Sequence, residues 1–204
     1  MPDDLHLNLR HLPFGESVEP HNDLRTWEIF PLEIEGPLRM RVLEEPSAED
    51  PPRSGAAGPQ DCHSCAKPDE AYVWTDENWR LTALPEPSAC PVVVLLESRL
   101  HADFDELPPE LVAGLGPVMQ RVERAIMGLG GIGRVHMNRW GDGATHFHWW
   151  FLARPLGVGQ LRGLFMPMWD ELLPPTDVQT WQANLASVAA AMAARGGTAH
   201  VSAR

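Results

Sequence analysis

Cysteine is scarce in this chain of 204 residues: Cys62, Cys65 and Cys90 are three in all, too few and odd in number for the disulfide framework of a small secreted domain. Lysine is scarcer still, Lys67 being the single one among sixteen basic residues. Positive charge as a whole is in deficit, with 16 Lys and Arg against 28 Asp and Glu for a net charge of −12. A polyanion as long as a DNA duplex would be repelled, so nucleic acid is excluded as a general partner. Long apolar runs are missing too. The Val/Leu run Val92 to Leu96 falls far short of the roughly 18 to 20 residues that cross a bilayer, and the first thirty residues have neither the basic nor the apolar stretch of an export signal. These absences lead to the expectation of a reduced, cytoplasmic protein with no membrane partner. A small anionic ligand remains compatible, because a few arginines reverse the potential inside one cleft.

What is present is ordinary globular composition, 44% hydrophobic and 22% charged, enough for one domain with an appendage. Thr26–Ile34 and Leu38–Leu43 read as extended runs turned at Gly36-Pro37, a hairpin. Pro46 to Gln60 carries Pro46, Pro51, Pro52, Gly55, Gly58 and Pro59 with almost nothing to bury, which predicts a mobile linker. The expected organisation is an N-terminal extension over 1–60, a main domain over 61–155 and a C-terminal helical cover over 156–204.

In the main domain, strands are expected near Ala71–Trp74, Trp79–Leu84 and Pro91–Glu97, the last a continuous Val/Leu run suited to a central strand. Leu111, Leu115, Val118, Val122 and Ile126 recur at helical spacing. Pro117, behind Gly114 and Gly116, predicts that the regular helix begins there, where proline is tolerated in a first turn. Strands Gly133–Trp140 and Thr145–Ala153 follow, joined by Gly141-Asp142-Gly143, a hairpin signal. Gln160–Leu173 and Val178–Ala194 read as helices separated by Pro174-Pro175. No repeat of solenoid or propeller period is visible.

Two groups of residues carry chemistry. Strand alternation puts His146, His148, Trp150 and Leu152 on one face and Phe147, Trp149 and Phe151 on the other, with the aromatic face in the core. The two imidazoles then stand about 7 Å apart on the exposed face. A three-residue loop with Gly143 in the left-handed bulge position sets Asn138 opposite His146 and His136 opposite His148; a two-residue turn brings Arg139 and Met137 there instead. A catalytic metal on His136, His146 and His148 is a further reading. Arg154, at the strand end, is available to pair an anion. In the second group, Cys62-His63-Ser64-Cys65 has the spacing that lets two thiolates reach one tetrahedral zinc, the alternative being an unmetallated or redox pair. Completing a zinc site takes two more ligands, for which His101 and His146 are the candidates; Cys90 reads as a buried free thiol.

The order Cys-x-x-Cys, strands, Pro-Val-Val-Val-Leu-Leu-Glu-Ser-Arg-Leu-His, amphipathic helix, Val135-His136-Met137-Asn138, Gly-rich turn and His146-Phe147-His148-Trp149-Trp150 resembles the histidine triad (HIT) superfamily over about residues 61–155. The hairpin before the Cys-x-x-Cys is similar to the branch containing galactose-1-phosphate uridylyltransferase. The resemblance implies an α+β fold, an antiparallel sheet with a packed amphipathic helix, to which an N-terminal hairpin and C-terminal helices are added. It also implies a nucleotide hydrolase or nucleotidyltransferase in which a neutral His148 attacks an α-phosphate and forms a covalent nucleotidyl-histidine, resolved by water or a second phosphate.

Under that resemblance Asn138 positions the nucleophile or phosphate, while Thr145 and the loop N–H groups from Gly143 onward stabilise developing charge. Arg139, Gly143, Trp150 and Arg154 contact the substrate, a nucleotide or nucleotide-sugar. A structural Zn2+ on Cys62, Cys65, His101 and His146 is implied, as is a homodimer. Trp150 stands where the family has its third histidine and the uridylyltransferase branch has glutamine; its indole N–H donates a hydrogen bond but accepts none. Asp142 replaces a usually neutral glutamine, and Arg139 is the candidate to pair its charge. The alternative function is a zinc-stabilised nucleotide- or partner-binding protein with a degenerate triad, in which Trp149 and Trp150 supply aromatic area.

Overall fold

The computed structural model describes residues 45–202 and, before them, residues 16, 30, 32 and 35–37; the hairpin expected between Thr26 and Leu43 lies outside the described residues. The chain divides into two compact units, Met1–Pro51 and Pro52–Arg204, and the second contains everything that follows. Its elements are α1 (His63–Ala66), β1 (Trp74–Thr75), β2 (Trp79–Ala83), β3 (Val93–Ser98), α2 (Pro109–Met127), β4 (Ile132–Asn138), β5 (His148–Pro155), α3 (Met166–Leu172), α4 (Val178–Ala193) and β6 (Thr198–Ala199). The six strands form one sheet in the order β4-β5-β3-β2-β1-β6, every pairing antiparallel. This is the α+β architecture expected.

Alternation along β5 divides the sheet into two faces. Phe147, just before the strand, with Phe151 and Ala153, joins Leu81, Val94 and Leu96 in the main core, against Leu115, Val118, Val122 and Ile126 of α2 and Leu185, Val188 and Met192 of α4. On the opposite face Leu152 and Val93 pack with Cys90 and with Met166 of α3. The central strands are thus covered on both sides at one end, as the unbroken Val/Leu run of β3 requires. The C-terminal segment does more than cover. Its last turn feeds β6 onto the edge of β1, fixed by the Trp74 indole N–H to the Gly196 carbonyl at 3.0 Å and by Arg121 to the Met192 and Gly196 carbonyls.

Three expectations are corrected. The helix α2 begins at Pro109 and runs through Pro117. Pro117 leaves the Ala113 carbonyl without its helical donor, but the buried stripe of Leu115, Val118, Val122 and Ile126 spans the proline, and burial of several apolar side chains at about 1.5–3 kcal/mol each outweighs a proline cost of about 3 kcal/mol. The second correction concerns the turn. Strand β4 ends at Asn138 and β5 starts at His148, leaving residues 139–147 as a long connection, and neither Gly141 nor Gly143 takes a positive φ. Asn138 pairs with Trp150 and His136 with Leu152, so neither expected register forms. The slide is an even number of residues, so Asn138, His148 and Trp150 still share one face.

The third correction is to the linker. From Arg53 onward it is bonded to the sheet's loops: Ser54 forms an isolated parallel bridge with Ala144, and residues Pro59–Asp61 make a 3-10 turn leading into the Cys-x-x-Cys. Its proline and glycine content encodes turns as well as mobility, and composition alone does not separate the two.

Phe151 is fully buried in β5 between α2 and the sheet. Phe151→Ala is expected to lower the unfolding free energy by about 3–5 kcal/mol, which urea denaturation followed by tryptophan fluorescence measures directly.

Candidate metal centre and histidine site

Cys62 is the N-cap of the short helix α1 and Cys65 lies within it, His101 follows β3, and His146 lies in the connection before β5. One ligand atom from each of these four residues lies within 4.8 Å of every other. The Cys62 Sγ is 3.4 Å from His146 Nδ1, and the Cys65 Sγ is 3.5 Å from the same nitrogen and 3.4 Å from His101 Nδ1. A tetrahedral zinc with Zn–S of about 2.3 Å and Zn–N of about 2.0 Å sets sulfur and nitrogen roughly 3.5 Å apart. The spacing therefore fits zinc.

The far side of each imidazole fits as well. His146 Nε2–H donates to the Ser98 carbonyl at 2.7 Å and His101 Nε2–H to the Gly55 carbonyl at 3.1 Å. Carbonyls only accept, so both rings carry their proton on Nε2 and turn an Nδ1 lone pair toward the thiols, the tautomer of a metal-bound histidine with an outer-shell partner. Burial first, and then Cys62 beside it, push the Cys65 thiol up to about 11. Two thiolates in this position call for a counter-cation. Burial likewise lowers the pKa of His146, against an opposing hydrogen bond to Ser98.

Sequence reading missed the support of this cluster. The Tyr72 hydroxyl lies 2.9 Å from the Ser64 carbonyl between the two cysteines and 3.1 Å from the buried Glu97 carboxylate; Arg80 and Lys67 each stand 4.8 Å from the centroid of the Tyr72 ring. The only signal was a charged Arg80 and Glu97 within otherwise apolar strands. Cross-strand pairing of Arg80 with Glu97 and of Glu97 with His148 carries this polar network to the neighbouring site.

That neighbouring site is built on His148. Its Nδ1 lies 2.9 Å from the His146 carbonyl and its Nε2 2.7 Å from the Trp140 carbonyl. A neutral imidazole has one N–H and so serves one of two carbonyls; donation to His146 leaves the lone pair on Nε2, and donation to Trp140 leaves it on Nδ1. Trp150 follows on the same face, its ring 5.7 Å from that of Trp140 in an edge-on arrangement. Asn138 lies directly across from Trp150. Phe147 and Trp149 point the other way, with centroids 6.2 Å apart, and belong to the core side.

The remaining sequence candidates distribute unevenly. His146, expected on an exposed face beside His148, is buried in the thiol cluster, and His136 lies opposite Leu152. The His136, His146 and His148 metal site does not form; among the described residues the group able to hold a metal is the Cys2His2 cluster. Arg139 pairs with Asp103 and lies over the Phe104 ring rather than facing Asp142. Thr145 gives both its backbone N–H and its hydroxyl to the Ser54 carbonyl, at 3.0 and 3.2 Å. The Gly143 carbonyl accepts from the Ser54 N–H at 3.0 Å. Arg154, six residues beyond His148 and so about 20 Å along the strand, donates to the Pro155 and Val158 carbonyls. Cys90 is buried, as expected.

No family model and no curated protein matches the sequence. Solved structures similar to it include a Zn-bound histidine triad family protein from Mycobacterium smegmatis (24% identical, TM-score 0.48, covering 68% of this chain and 97% of that one). A histidine triad protein from Bradyrhizobium japonicum is 16% identical with a TM-score of 0.48, covering 59% and 89%. A hypothetical histidine triad nucleotide-binding protein from Sulfolobus tokodaii is 14% identical with a TM-score of 0.45, covering 60% and 83%. No helix among the described residues is long and apolar enough to cross a membrane.

Cys62→Ser is expected to lose the metal found at one equivalent in the parent, by elemental analysis, and to melt at a lower temperature. The pH dependence follows from His146. Its folded pKa lies below the unfolded value of about 6.5, so the folded state binds fewer protons; the associated stability is full above about pH 6.5 and is lost as pH falls below it. Metal retention, measured by dialysis at stepped pH, should decline in the same direction because the ligands must be deprotonated.

Proposed function

We propose that this chain is a nucleotide hydrolase or nucleotidyltransferase of the HIT type, in which His148 Nε2 attacks an α-phosphate and is nucleotidylated. The observation that carries the reading is the 2.9 Å contact of His148 Nδ1 with the His146 carbonyl. With Nδ1–H donated to this carbonyl the neutral ring is in its reactive tautomer, the Nε2 lone pair lying on the face shared with Asn138 and Trp150. In the reaction Nε2 forms a P–N bond as the bond from phosphorus to the leaving oxygen breaks; water or a second phosphate then displaces the histidine, returning the ring to its starting form. Asn138 is placed to hold a phosphate oxygen or the ring edge. Trp150 stands where a third histidine is absent; its indole N–H is buried without a partner, and it can neither give up nor take a proton there.

Cys62, Cys65, His101 and His146 would hold a zinc ion whose part is structural. When bound, the ion supplies the charge that two buried thiolates require and fixes the His146 ring. The His146 carbonyl, in the same residue, orients His148. The ligand class proposed is a small nucleotide or nucleotide-sugar. The Trp140 carbonyl at 2.7 Å from Nε2 and the indole in place of the third histidine favour one second reading, a zinc-stabilised nucleotide-binding protein with little or no turnover.

Incubation with an α-32P-labelled nucleotide panel and quenching in denaturant separates the two. Acid-labile label on the wild-type chain, absent from His148→Ala, together with a fall in turnover of at least about 100-fold in that variant, is the expected result. Thermal stabilisation by nucleotide without label or product identifies the binding protein. Equal turnover in wild type and His148→Ala ends the covalent mechanism.

A further inference from the structure

We infer that Arg53–Gly55 is a strap that holds the connection 139–147 shut over His148, with the Trp140 carbonyl as the plug on Nε2. The consequence for catalysis rests on the proposed role of His148, but the strap itself does not.

Four observations carry it. The plug is in contact: the Trp140 carbonyl lies 2.7 Å from Nε2 and accepts its N–H in the covered tautomer, which leaves that nitrogen no lone pair for phosphorus. The loop bearing it is fastened from outside. Gly143 O accepts from Ser54 N–H at 3.0 Å, Ser54 O accepts from Thr145 N–H at 3.0 Å, and the Arg53 guanidinium donates to Gly141 O at 3.2 Å. These bonds clamp both sides of the loop tip, and a Cβ added to Gly143 meets nothing within 4 Å, so there is open space beside that residue. Thirdly, strap and loop share a carboxylate: Asp103 binds Arg53 at 2.5 Å and also Arg139 at the root of the loop. Lastly, the strap's other end is anchored to rigid ground. His101 Nε2–H donates to Gly55 O at 3.1 Å and Gly55 N–H donates to Asp61 O at 3.0 Å. Gly55 has φ +82°, and a Cβ there would lie 2.9 Å from His101 and from the Thr145 hydroxyl. Only glycine lets the strap pass between the metal-ligating histidine and the loop.

The inferred strap gives these contacts two arrangements. With the strap docked, the Trp140 carbonyl covers Nε2 and the Trp140 ring rests against Trp150. With the strap released, loop 139–147 swings on its ends, Nε2 is bared, and the Trp140 and Trp150 rings part to leave a slot beside the histidine. The Arg53 side chain is 38% exposed, so the latch is open to competition from an anionic ligand.

Ring access is read without any nucleotide, by the rate at which diethyl pyrocarbonate carbethoxylates His148, followed by peptide mass mapping with exposed His63 as internal reference. Arg53→Ala and Ser54→Pro each remove loop-to-strap hydrogen bonds, and each is expected to raise the His148 rate roughly tenfold over the full-length parent while leaving His63 unchanged. Arg53→Ala, at a partly exposed position, is expected to melt within a few degrees of the parent and serves if Ser54→Pro fails to fold. Equal His148 rates in parent and Arg53→Ala overturn the strap, whether both are slow, which assigns the cover to something else, or both as fast as His63, which shows no cover. Failure of nucleotide labelling with separated modification rates removes the proposed catalysis and leaves the strap standing; labelling with equal rates does the reverse.

Discussion

Two imidazoles that each donate Nε2–H to a backbone carbonyl, and so turn Nδ1 toward a pair of thiols, are the constraint on which the rest of this domain's working end depends. The carbonyls belong to Ser98 and Gly55, at the end of β3 and in the strap. The thiols come from the turn at α1. Three stretches of chain far apart in sequence, 55–65, 98–101 and 146, are therefore joined at one small volume, where burial raises the cost of a bare thiolate and a cation repays it. His146 acts twice, its ring in the cluster and its carbonyl on His148, so a metal ligand and the proposed nucleophile are coupled through two residues of backbone.

The same requirement explains the long connection before β5. A tight turn at Gly141-Asp142-Gly143 would have continued the ladder through His146 and set that ring on the sheet face. Instead Phe147 N–H bonds the Ala102 carbonyl at 2.8 Å and Thr145 bonds Ser54, bending the segment so that His146 enters the thiol cluster. Ladder hydrogen bonds are exchanged for loop hydrogen bonds of similar worth, and the cluster decides between them. Since the resulting register differs from the tight-turn one by an even number of residues, Asn138, His148 and Trp150 keep their common face.

Charge is arranged to match. In the loop by His148, Arg53 and Arg139 meet at Asp103. That carboxyl is held below its ordinary pKa: burial acts to raise it, but the Phe104 N–H and the two arginines outweigh burial. The two guanidinium groups stay in place, largely neutralised, until something competes for them.

Much of the site was legible in the sequence. A Cys-x-x-Cys with two candidate histidines specifies a donor set whatever the fold, because ligand chemistry belongs to residue type, and Phe147-His148-Trp149-Trp150-Phe151 declares its two faces by a period that strand geometry imposes locally. Helical spacing around Leu115 and Ile126 likewise located α2, though not its start. What only the tertiary structure decided was which groups meet across long stretches of chain: the slide of β4 on β5, the passage of α2 through Pro117, the addition of β6 to the sheet, and the docking of a Pro/Gly-rich segment that reads as a linker. In each case local preferences were nearly balanced, and burial or a distant hydrogen-bond partner, invisible to any short window of sequence, broke the tie.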